Sequence, residues 1–184
     1  MREDTVTTKV YLFDELSDEA KQRAIEQLWD INVDYEWWDC VYEDAATIGL
    51  KITEFDLDRG AYCRGDWTED PEDTARLILE NHGPADGSEP DQDACETYKD
   101  AWEFQNAVSV QGSIFEDRDD YDPEYQEFTE SDEYLELCEE FQRTICEDYR
   151  IILQQEYEYR ISEEAIIEVI KANEYEFTED GKLY

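Results

Sequence analysis

The stretch LKITEFDLDRGAYCRGDW, residues 50–67, decides the fold because it holds two strand-like runs joined by a tight-turn signal. The runs cover residues 50–57 and 61–67, and both are rich in residues that favour strands. Between them, Gly60 permits the positive φ that a tight hairpin turn demands. We therefore predict a β-hairpin at residues 50–67.

Strand patterns also occur towards both ends of the chain. Residues 6–13 alternate in the two-residue period of a strand whose faces are both partly covered. The tail, residues 175–183, has the pattern of a strand ending in a turn. These two segments and the hairpin predict one small antiparallel sheet.

Helical patterns occupy most of the remaining sequence. The longest one opens at Ser131, buries a stripe from Tyr134 to Ile152, and places acids such as Glu136 and Glu139 on its wet side. The predicted boundaries of the others are Ser17 to Ile31, Asp34 to Gly49, Asp70 to His82, about Asp91 to Val108, and a last helix capped by Ser162. Together the patterns predict an α+β fold, in which five or six helices pack the small sheet. At 184 residues the chain is expected to be a single domain, 1–184.

The charge of the chain limits what it can bind. There are 53 Asp and Glu against 15 Lys and Arg, a formal net charge of -38 at pH 7. Because phosphate contacts need cations, this balance argues against direct binding to nucleic acid or to an anionic membrane. A soluble small domain needs a net charge of only about 2 to 8, so the surplus requires another explanation.

Two segments depart from the rest in composition. Residues 84–93, PADGSEPDQD, are predicted to be a flexible loop. Residues 113–130 form a highly acidic segment with aromatic residues set among the acids, a combination common at protein interfaces. We predict that its acids bind a partner and that two tyrosines anchor it. These candidate binding residues are Glu116, Asp117, Asp119, Asp120, Asp122, Glu124 and Glu127, with Tyr121 and Tyr125 as the anchors.

The sequence contains no clear catalytic or metal-binding pattern. His82 is the single histidine and falls at a predicted helix end, where imidazoles commonly cap. Residues 56–60 suggest a calcium loop, but Trp67 stands where a bidentate glutamate is required. We therefore expect no catalytic residue, no metal and no cofactor. The odd set of five cysteines, and a start without an apolar signal region, predict reduced thiols in a cytosolic protein.

Several segments resemble a known group of proteins. FDELSDEAKQRAI (13–25), DYEWWDCVYEDAATIGLKITEFDLDRG (34–60), AYCRGDW (61–67) and the ending ANEYEFTEDGKLY (172–184) are similar to small phage and prophage proteins labelled as antitoxins of a toxin–antitoxin stability system. The resemblance implies a phage origin and a binding role. An acidic phage protein is also similar, in composition and strategy, to the DNA mimics that block restriction or CRISPR-type nucleases.

The leading functional hypothesis is therefore a non-enzymatic inhibitor that occludes the basic nucleic-acid site of a host defence protein, of the anti-CRISPR or anti-restriction type. The charge of -38 equals that of about 65 Å of duplex DNA. Two alternatives remain open at this point. One is an antitoxin that neutralises a small basic toxin, and the other is a halophile-adapted or metal-dependent enzyme domain.

Overall fold

The structure is a computed structural model that describes residues 9–84, 88–112 and 128–184. Within these ranges it contains six α-helices and four β-strands. In chain order they are β1 (Tyr11–Leu12), α1 (Asp18–Gln27), α2 (Asp39–Thr47), β2 (Leu50–Asp56), β3 (Tyr62–Trp67), α3 (Pro71–His82), α4 (Glu96–Gly112), α5 (Asp132–Arg160), α6 (Glu163–Ala172) and β4 (Glu176–Phe177). A single 3-10 turn, Phe13–Glu15, follows β1.

The strands form two antiparallel sheets of two strands each. β1 pairs with β4, and β2 pairs with β3. The α+β class and the number of helices are confirmed, but the terminal strands pair with each other instead of extending the hairpin sheet. Both of those strands have only two residues.

The central hairpin has the predicted form. β2 and β3 pair from Leu50 opposite Trp67 to Asp56 opposite Tyr62. In the turn, Gly60 adopts a φ of 83°, and the Asp58 amide donates a hydrogen bond of 2.7 Å to Asp56 Oδ1. The acids of this stretch therefore shape a turn, as the sequence predicts.

The described residues fall into two compact units. Unit 1 contains the described residues up to Trp37 together with Gln155–Tyr184. Its core joins α1, α6 and both terminal strands. Phe13 and Phe177 meet edge-on at 6.4 Å between ring centroids, and Ile170 is fully buried beside them.

Unit 2 contains Trp38–Gln154 as far as these residues are described. The hairpin, α2, α3, α4 and most of α5 build its core. Phe141 of α5 stacks between Trp67 and Phe104, with ring centroids 5.4 and 4.4 Å away. The same unit buries Ile48, Leu50, Ile78, Ile145 and Leu153 completely. The chain was predicted to be one domain, and that remains a prediction.

The helix boundaries agree with the capping signals at five positions. Ser17 and Ser162 each accept a hydrogen bond from the backbone amide three residues later, at 3.3 Å. Pro71 occupies the first turn of α3, and Gly49 ends the second helical segment with a φ of 80°. Ser131 likewise precedes α5 and accepts a hydrogen bond from the Tyr134 amide at 3.2 Å.

Two predicted helix starts are wrong. α2 begins at Asp39, five residues after the predicted cap, because Trp37 is buried in unit 1 against Tyr157, 5.8 Å between ring centroids. α4 begins at Glu96 because the Asp93 amide donates to Asp91 Oδ1 at 3.0 Å, a local turn that competes with the helix.

Among the helices within the described ranges, none combines the length and apolarity needed to cross a membrane.

Candidate functional site

All nine sequence-predicted binding residues lie outside the described residues. Glu116, Asp117, Asp119, Asp120, Tyr121, Asp122, Glu124, Tyr125 and Glu127 belong to residues 113–127. The described chain resumes at Phe128, whose ring meets Tyr134 of α5 edge-on at 5.3 Å. Phe128, near the end of the acidic segment, therefore packs against α5 in unit 2.

The described residues carry most of the negative charge. They contain 43 acidic and 13 basic side chains, and 43 minus 13 leaves a net charge of -30. Of the 43 acids, 38 are exposed and none is buried. Even if every one of these bases paired with one acid, 30 carboxylates would remain to face solvent or a partner.

The first turns of α5 concentrate this charge. Asp132–Glu140 holds five acids and no base in nine residues. The segment spans about 13.5 Å of helix axis, so it carries one charge per about 2.7 Å. A single strand of DNA carries one per about 3.4 Å of duplex axis.

These five acids share one side of α5. At about 100° per residue they fall within an arc of about 120°, opposite the direction of Tyr134 and Cys138. All five are exposed, whereas Tyr134 and Cys138 are half-buried. The five acids are Asp132, Glu133, Glu136, Glu139 and Glu140. The periodicity of the helix therefore places the five carboxylates in one row on the solvent-facing side of α5.

A second acidic segment contacts α5 on the side opposite this row. Glu69–Asp73, at the start of α3, contains four acids in five residues and no base. Tyr134 Oη donates a hydrogen bond to Glu72 Oε1 at 3.2 Å, which ties the two segments together. Burial raises the pKa of Tyr134, with further increases from Cys138 and Glu72, so the hydroxyl keeps its proton at neutral pH. Glu69–Asp73 and Asp132–Glu140 are called the acidic face below.

Bases contact the acidic face at its margins. Arg143 pairs with Glu140, and Arg76 pairs with Asp73 at 2.8 Å. Both pairs are largely exposed and lie three residues apart on their own helices, where such pairs contribute about 0.3 to 0.5 kcal/mol. Nine acids against these two bases leave the face strongly negative.

A different pair of carboxyls lies inside unit 2. The pKa of Asp100 on α4 is raised to about 7, mainly by burial and additionally by the neighbouring charges of Asp148, Glu103 and Glu96. The pKa of Asp148 on α5 is also raised, again mainly by burial, although hydrogen bonds from Thr97 and Asp100 oppose the shift. The interaction between the two carboxyls raises the pKa of Asp100 and lowers that of Asp148, so Asp100 is the carboxyl that more readily keeps its proton.

Among the described residues, no group of three or more His, Cys, Asp or Glu is arranged to hold a metal ion. His82 is exposed in the last turn of α3, the position that the sequence predicts.

No family model, curated protein or solved structure matches the chain.

The acidic face was missed as a binding surface by the sequence reasoning, which placed the α5 acids only on a wet helix side. The density of acids in Asp132–Glu140, combined with their helical phase, is the signal that could have identified it. The contribution of Glu69–Asp73 had no such signal, because its place beside α5 depends on a contact across 62 positions of sequence, the Tyr134–Glu72 hydrogen bond.

Proposed function

We propose that this protein is a phage-encoded inhibitor of the DNA-mimic type, which acts in the host cytoplasm and occupies the basic nucleic-acid-binding surface of a host defence protein. The exposure of 38 of the 43 described acids is the observation that supports this most strongly. The acidic face would be the described part of the binding surface, and the acids of residues 113–127 are further candidates for binding the partner.

Charge density supports nucleic-acid mimicry in particular. The row on α5 is somewhat denser than the charge along one DNA strand, and it is mounted on a rigid helix. A basic groove that holds nucleic acid would attract such a row and release the anions condensed on its own surface. Association is therefore expected to be fast and to weaken steeply as salt rises.

Capture from a host lysate tests the proposal. The tagged protein is incubated with lysate at about 50 mM salt, and bound proteins are eluted either with duplex DNA or with about 200 mM salt. A nucleic-acid-binding defence protein released by both treatments is the expected result. Capture of one small basic toxin would favour the antitoxin alternative instead. Binding that resists both DNA and salt would contradict mimicry.

Two variants with equal charge changes sharpen the test. The face variant D132N/E133Q/E136Q/E139Q/E140Q removes the row on α5. The control variant E26Q/D30N/D34N/E36Q/E179Q removes five exposed acids of unit 1. The face variant should lose about tenfold or more in partner affinity, while the control should keep most of it. Equal losses would mean that net charge alone, and not this face, determines binding.

A further inference from the structure

A cavity of about 760 Å³ in unit 2 lies beside two cysteines. It is bounded by the hairpin on one side and by α5 on the other. Cys63 of β3 and Cys146 of α5 both line it, 83 residues apart in sequence. Both thiols are free.

The packing of β3 on α5 brings these two residues together. Trp67 stacks on Phe141 at 5.4 Å between ring centroids. Gln142 Nε2 donates a hydrogen bond to the Gly65 carbonyl at 3.0 Å. Residue 63 lies two positions before Gly65 on the same strand face, and residue 146 lies one helical turn after Gln142. Cys63 and Cys146 therefore meet at the next position along the interface between β3 and α5.

The two thiols interact directly and differ in their acid–base behaviour. The Cys63 thiol donates a hydrogen bond to Cys146, which raises the pKa of Cys63 together with its burial. The same hydrogen bond lowers the pKa of Cys146, as does a bond from the Gly65 backbone, although burial opposes this. Cys146 is thus the sulfur that more readily becomes a thiolate, and Cys63 is its protonated neighbour.

We propose that Cys63 and Cys146 form an oxidisable dithiol, a modification site for a small hydroperoxide that enters the cavity and drives closure of a disulfide between β3 and α5. The Cys146 thiolate attacks one oxygen of hydrogen peroxide, and the O–O bond breaks. The attacked oxygen becomes part of a sulfenic acid on Cys146, and the other oxygen leaves as hydroxide, which is protonated to water. The Cys63 sulfur then attacks Cys146 Sγ, forming the S–S bond and expelling the second water. In total, two thiols and one hydrogen peroxide yield one disulfide and two waters.

The other cysteines provide internal controls. Cys40 and Cys95 are exposed, and neither lines this cavity. Cys138 lies on α5 two turns before Cys146, and the group that interacts with its sulfur is the Tyr134 hydroxyl instead of a second thiol. Accessibility alone would direct peroxide to Cys40 and Cys95, whereas pairing directs disulfide formation to Cys63 and Cys146.

Tryptic mapping of the full-length protein tests the site. Cleavage after Arg59, Arg64, Arg143 and Arg150 releases Cys63 in Gly60–Arg64 and Cys146 in Thr144–Arg150. After hydrogen peroxide treatment, these two peptides should appear joined at a mass about 2 Da below their sum, and a thiol reductant should separate them. The thermal midpoint of the oxidised protein should rise by roughly 5 to 15 °C, because the disulfide closes a long loop.

Variants and alternative products keep the test decisive. In Cys63→Ser the sulfenic acid on Cys146 should persist and be trapped by a dimedone probe, whereas Cys40→Ser should still form the disulfide. Joined peptides containing Cys40 or Cys95 as the main product would overturn the proposal. So would overoxidation of Cys146 in the unmodified protein without any joined peptide. The dithiol is independent of the proposed inhibitor function, since its oxidation is measured on the free protein.

Discussion

Tyr134 of α5 donates a hydrogen bond to Glu72 of α3 at 3.2 Å, across 62 positions of sequence. This contact links the α3 segment of the acidic face to the half-buried side of α5, which lies opposite the row of five acids. The hydroxyl of one half-buried tyrosine is thus a structural determinant of the candidate binding surface.

Tyr134→Phe is expected to lower the free energy of unfolding by about 1 to 2 kcal/mol, since it removes a hydrogen bond to a charged acceptor and leaves the ring in place. Urea denaturation followed by circular dichroism measures the change. Tyr159→Phe, at an exposed tyrosine near the other end of α5, should change the value by less than about 0.5 kcal/mol. Equal effects in both variants would remove the structural role assigned to the Tyr134 hydroxyl.

Asp100 should make the protein less stable as the pH rises. In the folded state its pKa is raised to about 7, whereas an unfolded aspartate titrates near pH 4. Between these values the folded state binds more protons, so the free energy of unfolding falls as pH rises from about 4 to about 7.

Asp100→Asn, which cannot ionise but still donates to Asp148, should remove part of this fall. The expected gain at pH 8 is about 1 kcal/mol, allowing for solvent screening of a carboxyl that is only half-buried. Denaturation at pH 5 and pH 8 measures it. Asp93→Asn, which removes one exposed charge nearby, is the control. An identical pH profile for the Asp100→Asn variant and the unmodified protein would contradict the raised pKa of Asp100.

Added salt should stabilise the free protein. A net charge of -38 produces repulsion that counterions screen, and the screening length falls from about 20 Å to about 4 Å between 0.02 and 0.5 M salt. The thermal midpoint should therefore rise by about 5 °C or more over this range. The face variant should show a smaller rise, because its row of five acids is neutral. A thermal midpoint that stays constant or falls with added salt would contradict the prediction that repulsion between surface charges destabilises the folded protein.

The core of unit 1 should be sensitive to the loss of Phe177. This side chain is fully buried against Phe13, so Phe177→Ala is expected to cost about 3 to 5 kcal/mol. Leu183→Ala removes a partly exposed side chain opposite Phe177 and should cost about 1 kcal/mol or less.

The same variant tests the single-domain prediction. Because α5 supplies residues to both units, we expect one cooperative transition that shifts as a whole in Phe177→Ala. Two separate transitions, of which only one shifts, would instead establish two independently folding domains.

Local signals in the sequence predicted much of the fold. The hairpin follows from Gly60 between two strand patterns, and the caps at Ser17 and Ser162 follow from side chains that satisfy free helical amides. The predicted start of α2 was wrong because it depends on a contact between residues that are distant in sequence. Asp34 has the chemistry of a cap, but burial of Trp37 against Tyr157 delays α2 until Asp39.

The candidate sites also combine features that the sequence determines with features that depend on contacts between distant residues. The excess of acids follows from composition alone and does not depend on the fold. The expectation of a basic partner rests on this excess. The row on α5 also follows from spacing, because helical phase places Asp132 and Glu140 on one side.

The amino-acid sequence by itself determined the charge, the helical periods and the turn chemistry, since each depends on residues that are close together along the chain. Only the tertiary structure decided which distant groups meet. It brought Glu72 to Tyr134, Asp100 to Asp148 and Cys63 to Cys146, in each case by packing one element against α5. The physical reason is that side-chain contacts between elements depend on how buried surfaces fit together, and a pattern read along one element carries no information about its neighbour.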